Sequence, residues 1–197
     1  MIDSLYKPFQ RWSEVGTIWL YSDPHFNEDE DLHIPFPNRP SAEEQIKMIN
    51  SKVGRKDTLL LLGDVGDIEC AKQLRGYKVL IKGNHDAGLS NYEDVFEEVY
   101  GGPLMISEKI ILSHEPLDIN WAFNIHGHVH LSQFDRPGHM CVCSDVLNYT
   151  PVNFNQFIKS GRLKEIVQLH RSTIDSATIR ARKRGYTMKE KATQNGS

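Results

Sequence analysis

The sequence predicts an α/β protein with one domain and with its reactive side chains at the carboxyl ends of its strands. Three observations support this prediction. The chain has 197 residues, which is enough to bury a full core. Five short apolar runs have the length and composition of buried strands. A short polar motif follows each run directly, and helical patterns lie between the early runs.

Each predicted element has a local signal. The predicted strands are Thr17–Tyr21, Thr58–Leu62, Val79–Ile81, Ile110–Leu112, Ala122–Ile125 and Met140–Ser144. A helix is predicted after Ser41, because Ser41 and Glu44 form a capping-box pattern. Apolar residues at helical spacing continue this helix to Gly54. A second helix is predicted over Ile68–Leu74, closing at Gly76.

Less regular segments surround these elements. A helical stripe, expected in the core, is predicted at Tyr92, Val95, Phe96 and Val99. Residues 28–40 are acidic and rich in proline, and they predict a long loop. Its four consecutive acids, 28–31, favour a solvated surface, with a metal-binding role left open. Asn155–Ile158 and Ile166–Leu169 are expected to complete the compact part.

Composition bounds the class of protein. A net charge of -3 gives no global attraction to nucleic acid, although a local basic face is compatible with it. No apolar run reaches membrane-spanning length, and no membrane partner is expected. The first residues lack the apolar core of a secretion signal, and there are three cysteines. The expected location is therefore the cytoplasm, with Cys70, Cys141 and Cys143 as reduced, small buried side chains.

The predicted domain covers residues 1–175, and a basic tail covers 176–197. In the tail, six cations face the single acid Glu190, namely Arg180, Arg182, Lys183, Arg184, Lys189 and Lys191. The end of the tail has no apolar content and is expected to be partly disordered. The cations favour a solvated helix or tail, and contact with phosphates is the alternative.

The polar motifs predict a metal centre. They are Asp23-Pro24-His25, Gly63-Asp64, Gly83-Asn84-His85-Asp86, Ser113-His114 and Gly127-His128-Val129-His130. Polar residues at the carboxyl ends of neighbouring strands converge on one crevice in α/β sheets. Two neighbouring metal ions need a carboxylate that both can share. Asp64 follows a Leu-rich strand and a glycine, and it is the candidate bridge.

The spacing of the other candidates supports the same site. Asp23 and His25 are two residues apart and would project to one side if strand geometry continues through them. The same argument applies to His128 and His130. Any one of these residues alone is better explained as a packing or turn residue, and only their joint occurrence favours a site. His126, beside Gly127, is expected to lie behind the ligands or to serve packing.

The five motifs in this order resemble the calcineurin-like metallophosphoesterase family, and the resemblance runs from Thr17 to about Ser144. It implies two packed mixed β-sheets flanked by helices, in a four-layer sandwich. It implies that one metal ion is held by Asp23, His25, Asp64 and His130. It implies that a second ion is held by Asp64, Asn84, His114 and His128.

The resemblance also implies roles around the metal ions. A hydroxide that bridges the ions would attack phosphorus, and His85, oriented by Asp86, would assist the leaving group. Protein serine/threonine phosphatases of this family carry Arg-Gly after the second Asp of the second motif. Here Ile68-Glu69 follows Asp67, which disfavours a phosphoprotein substrate and favours the small prokaryotic and phage-type branch. Asp67 itself is expected to accept backbone N–H groups.

Ligand chemistry and resemblance together predict the activity. Imidazole with carboxylate suits Mn, with Fe, Zn, Ni and Co as alternatives, and disfavours a site for magnesium alone. The predicted protein is a metal-dependent phosphoesterase, with phosphodiesters of the nucleotide or nucleic-acid type favoured. The alternatives are a phosphomonoesterase, a non-catalytic metal-binding scaffold for protein partners, and a nucleic-acid-binding module built on the basic tail.

Overall fold

A computed structural model describes residues 1–28, 39–130, 136–166 and 169–185. The strands are β1 (Ile18–Tyr21), β2 (Thr58–Leu61), β3 (Tyr77–Ile81), β4 (Glu98–Tyr100), β5 (Leu104–Ser107), β6 (Ile110–Leu112), β7 (Phe123–His126), β8 (His139–Cys141) and β9 (Val152–Asn153). The α-helices are α1 (Lys7–Gln10), α2 (Ala42–Lys52), α3 (Ile68–Lys72), α4 (Phe154–Lys159) and α5 (Leu169–Lys183). Most of the predicted loop at 28–40 and the end of the tail lie outside the described residues.

The strands form two mixed sheets, which confirms the predicted α/β fold class. The five-stranded sheet has the order β4-β3-β2-β1-β9, and β9 pairs antiparallel with β1 while the other pairs are parallel. The four-stranded sheet has the order β5-β6-β7-β8, and β5 pairs antiparallel with β6. Apolar side chains from both sheets form one buried cluster between them.

The run Leu59–Leu62 illustrates why the central strands are apolar throughout. Leu60 and Leu62 belong to the cluster between the two sheets. Leu59 and Leu61 belong to a second cluster, which contains side chains of α2 and α3. Successive residues of a strand point to opposite faces. A parallel strand covered on both faces therefore needs a continuous apolar run rather than alternation.

Local signals in the sequence predicted helices α2 and α3 correctly. Helix α2 begins with the predicted capping box, in which the Ser41 hydroxyl accepts from the Glu44 N–H and the Glu44 carboxylate accepts from the Ser41 N–H. Asp67 is the N-cap of α3 and accepts from the Glu69 N–H, as predicted. Helix α3 ends at Lys72, slightly before its predicted end.

One later prediction was wrong in its secondary structure, and another was shifted in its bounds. The stripe predicted as helical at 92–99 follows a 3₁₀ turn, Leu89–Asn91, and ends in strand β4. Its residues Tyr92, Val95 and Phe96 are nevertheless buried, as expected of core residues. The predicted strand at Met140–Ser144 begins and ends earlier, as β8.

The carboxyl ends of the central strands meet at one edge of the sandwich. The last residues of β1 and β2, Tyr21 and Leu61, are register partners, and Leu61 pairs in turn with Leu80 of β3. An isolated bridge from Ser22 to Cys143 ties this edge to the four-stranded sheet, just beyond β1 and β8. The loops that carry the polar motifs therefore leave both sheets at the same place.

Helix α5 crosses residue 175, the predicted boundary between domain and tail. Its described side chains, from residue 176 onward, are mostly exposed. In the described part of the chain, no helix has both the length and the apolar character needed to cross a membrane.

Candidate metal centre

The structure brings the predicted ligands together at this edge. Asp23, His25 and His130 form one group whose ligand atoms lie within 4.8 Å of one another. Asp64, His114 and His128 form a second group by the same measure. We call these the first group and the second group. Each could hold a metal ion.

The carboxylate of Asp64 joins the two groups. Its Oδ2 lies 3.3 Å from His114 Nε2 and 3.6 Å from His25 Nε2. Its Oδ1 accepts a hydrogen bond from the backbone N–H of His85 at 2.9 Å, which fixes the carboxylate plane. One oxygen therefore faces a histidine of each group, as a shared ligand must.

Three separate loops build the second group around one point. Asn84 Oδ1 lies 2.8 Å from His114 Nε2 and 3.0 Å from His128 Nδ1. The two ring nitrogens are 3.2 Å apart. Ligand atoms about 2.1 Å from a common ion lie roughly 3.0–3.4 Å from one another. The spacing of the second group is therefore close to that of a coordination sphere, and Asn84 Oδ1 lies within it.

The first group contains a buried ring nitrogen without a hydrogen-bond partner among the described residues. His25 Nε2 lies 3.9 Å from Asp23 Oδ1, and His130 Nε2 lies 3.5 Å from the same oxygen. His25 is 1% exposed, and its Nε2 has no hydrogen-bond partner in the described part of the chain. Buried polar atoms are almost always satisfied. A cation at this position would satisfy it, so the residues present fit a metal ion.

Most of the ligands have a left-handed backbone. Positive φ angles occur at Asp23 (+56°), His25 (+42°), Asp64 (+51°), His128 (+70°) and His130 (+44°). Such angles are uncommon outside glycine and cluster at functional sites. They also correct the expectation that strand geometry directs Asp23 and His25, and likewise His128 and His130, to one side. Strand geometry does not continue into these motifs, and the side chains converge because the backbone turns.

Two glycines allow this convergence through close approach. A Cβ on Gly83 would overlap Asp64 Oδ1 and lie 2.6 Å from the Asp64 backbone nitrogen. A Cβ on Gly127 would overlap Asp23 Oδ2 and lie 2.9 Å from Ser22 Cβ. Only glycine therefore fits at these two positions.

Burial and charge divide the ligands into different protonation states. Burial lowers the pKa of His25 to about 3, so this imidazole is neutral. Burial also raises the pKa of Asp23. Burial opposes the charge on His114 as well, but the carboxylates of Asp64 and Asp23 outweigh it and raise its pKa to about 9. Burial would raise the pKa of Asp64, but contact with His114 brings it below its ordinary value.

His85 lies at the open side of the first group. Its side chain is exposed, and its ring meets the His25 ring edge-on with centroids 5.2 Å apart. Asp86 is buried, and its carboxylate accepts from the backbone N–H groups of Gly83, Asp64 and Val65. In the described part of the chain, the Asp86 carboxylate makes no hydrogen bond to the His85 ring. The expectation that Asp86 orients this ring directly is therefore wrong, and Asp86 instead supports the turn that carries His85.

His126, which was expected to lie behind the ligands or to serve packing, is fully buried with its ring against His139, with centroids 5.6 Å apart. Arg39 donates to the backbone carbonyls of Pro24 and His25 and so braces the first motif.

Other residues around the site carry no motif signal. Glu28 and Asp145 contact the Nδ1 atoms of His25 and His130, at 2.9 and 3.1 Å. The three cysteines are free; Cys70 and Cys143 are buried, as predicted, and Cys141 is half-buried. Cys143 Sγ lies 3.3 Å from Asp23 Oδ2.

Comparison with known proteins adds information on the fold. No protein-family model and no curated protein matches the chain. The chain is similar to the crystal structure of a protein of unknown function from Aquifex aeolicus, with a TM-score of 0.61 and 21% identity. The match covers 73% of this chain and 98% of that one. At this level of identity the likeness shows a shared fold alone.

We predict that Gly83→Ala displaces Asp64 and weakens metal binding, because the new methyl group has no space beside that carboxylate. Overpacking of this kind costs about 1–3 kcal/mol of unfolding free energy. Gly88→Ala is the control, because a Cβ there meets nothing within 4 Å. Calorimetric Mn²⁺ titration and urea unfolding of both variants test this. Equal behaviour of the two variants would contradict the steric argument.

Proposed function

We propose that this chain is a metal-dependent phosphoesterase of the calcineurin-like kind, working with two divalent metal ions, of which Mn²⁺ is favoured. The observation that carries the proposal is the position of Asp64 Oδ2, within 3.6 Å of a histidine in each group. The order of the five motifs supports the same proposal. When bound, the ions would polarise phosphate oxygens and lower the pKa of water.

The ligand set makes the loaded site positive. Asp23 and Asp64 bring two negative charges against four positive charges of two divalent ions, and the other ligands are neutral when they bind. The remaining charge of about +2 attracts an anionic phosphate ester. Asn84 contributes a neutral oxygen and so preserves this excess.

His85 is the proposed proton donor to the leaving group. It is exposed, in contrast to His25 behind it, so a substrate bound over the ions can reach it. Its backbone N–H is fixed to Asp64 Oδ1, which couples its position to the shared carboxylate. A donor held beside the leaving oxygen contributes about 10²–10⁴-fold in rate.

A cleft beside the second group offers room for a substituent of the substrate. It has a volume of about 210 Å³, and its wall includes His114 and Asn84. Pro103 and Leu117 supply apolar surface, and Lys82 and Glu115 supply one charge of each sign. A second ester group on phosphorus would find apolar contact here, which favours phosphodiesters.

The basic end of α5 supports nucleic acid as the class of phosphodiester. Arg180, Arg182, Lys183 and Arg184 are all exposed, and the structure gives none of them an ion pair within the described residues. Exposed cations clustered at and just beyond one helix end are suited to a phosphate backbone. A phosphomonoesterase with the same metal centre is the alternative. A metal-binding scaffold that lacks catalysis is a further alternative, disfavoured because His85 is present.

We expect Mn²⁺-dependent hydrolysis of an aryl phosphodiester, faster than that of the matching monoester, after chelation and reloading. Asp64→Ala should abolish turnover and reduce bound Mn²⁺, because it removes the shared ligand. Asp67→Ala is the matched control, since Asp67 caps α3 and should affect only stability. A faster monoester would select the alternative enzyme. Binding of two ions without turnover of either ester would favour the scaffold.

We expect His85→Ala to keep its bound Mn²⁺ and lose about 10²–10⁴-fold in turnover. The loss should shrink with esters whose leaving group is a weak base, because such a group needs no proton. Metal analysis and a leaving-group series measure the two effects. Full activity of the variant on a basic leaving group would remove His85 from the mechanism.

We expect replacement of Arg180, Arg182, Lys183 and Arg184 by Gln to weaken binding of a single-stranded oligonucleotide. Each lost phosphate contact should reduce the slope of log K against log salt by about 0.7. Fluorescence anisotropy across a salt series measures this slope. The control replaces Lys52, Arg55 and Lys56, which are exposed cations on another part of the surface. An equal effect of both sets would mean non-specific attraction.

A further inference from the structure

We propose that Glu28 and Asp145, which belong to none of the five motifs, are positioning residues that set the metal affinity of the first group. Each carboxylate contacts Nδ1 of a histidine whose Nε2 faces the first group. This inference rests on the proposed function, because it requires the two groups to hold metal ions.

His25 uses its two ring nitrogens on opposite sides. Its Nδ1 donates to Glu28 Oε2 at 2.9 Å, which leaves Nε2 as the atom with a free lone pair. That atom is buried and faces Asp64 Oδ2 at 3.6 Å. The hydrogen bond to Glu28 therefore fixes both the tautomer and the direction of the ring.

His130 repeats the arrangement with a different carboxylate. Its Nδ1 donates to Asp145 Oδ1 at 3.1 Å, and its Nε2 lies 3.5 Å from Asp23 Oδ1. The Asp145 side chain is 4% exposed, and its Oδ2 has no hydrogen-bond partner in the described part of the chain. A buried carboxylate of this kind needs positive charge nearby. A cation bound to the other side of the His130 ring supplies that charge through the imidazole.

The second group is built differently. His114 Nδ1 donates to the backbone carbonyl of Leu62 at 2.8 Å. His128 directs its Nδ1 toward the group, 3.0 Å from Asn84 Oδ1. Over the residues that the structure describes, no carboxylate stands behind either ring. A carboxylate behind an imidazole makes it a more basic ligand than a carbonyl does. Glu28 and Asp145 should therefore act on one metal ion and leave the other nearly unchanged.

The test is a Mn²⁺ titration of the metal-free full-length protein, with the free aqua ion followed by electron paramagnetic resonance. Glu28→Gln and Asp145→Asn keep the size of each side chain and remove its charge. Loss of such a partner typically costs 10–100-fold in metal affinity. We expect that loss of affinity at one of the two Mn²⁺ sites. The affinity of the other site should stay within about twofold of its value in the unaltered protein.

Asp118→Asn is the matched control. Asp118 Oδ1 lies 3.2 Å from Nε2 of His139, so it also backs a histidine, but that histidine belongs to neither group. This variant should bind both ions as the unaltered protein does. The same loss of affinity in Asp118→Asn would show that removing a negative charge anywhere on the protein is enough, and it would overturn the inference.

Other outcomes overturn the inference in distinguishable ways. Unchanged affinity in both Glu28→Gln and Asp145→Asn would overturn it alone, with the proposed function intact. An equal loss of Mn²⁺ affinity at both sites, accompanied by a lower unfolding temperature, would show a structural role instead. Failure of the unaltered protein to bind Mn²⁺ would overturn the proposed function and this inference together.

Discussion

The buried carboxylate of Asp86 accepts hydrogen bonds from three backbone N–H groups, and the geometry of the site depends on this arrangement. Asp86 accepts from Gly83 in its own turn and from Asp64 and Val65 in the turn after β2. Hydrogen bonds to an ionised acceptor are stronger than those between neutral groups. The carboxylate therefore holds two turns from neighbouring strands against each other. Asp64 is fixed at its backbone by Asp86 and at its side chain by the His85 N–H.

This support is needed because the candidate ligands lie on strained backbone. A left-handed conformation outside glycine costs of order 1–3 kcal/mol, and five candidate ligands adopt it. Together this is comparable with the net stability of an ordinary domain, about 5–15 kcal/mol. Such strain persists only where the surroundings over-determine the chain. Here the parallel registers of β1, β2 and β3 and the bridge between Ser22 and Cys143 hold the loop ends in place.

The sequence predicts what is local or carried by a motif, and it fails where distant contacts decide. Leu59–Leu62 and the capping box at Ser41 were predictable from pattern, and so was the convergence of the motifs. The spacing around Tyr92 favoured a helix, but pairing with β3 makes β4 a strand, because a tertiary contact overrides a short periodic signal. Asp145 meets His130 across a segment that no spacing rule connects.

The side chains of the candidate site also contact one another, and these contacts would couple the fold to a bound cation. Asn84, His114 and His128 contact one another where a cation would sit, and the proton on His114 balances the carboxylates. His25 Nε2 has no such substitute in the described part of the chain and stays unsatisfied. A cation would satisfy that atom and replace the proton, so its binding free energy adds to folding stability. A bound cation would therefore offset the cost of that unsatisfied nitrogen.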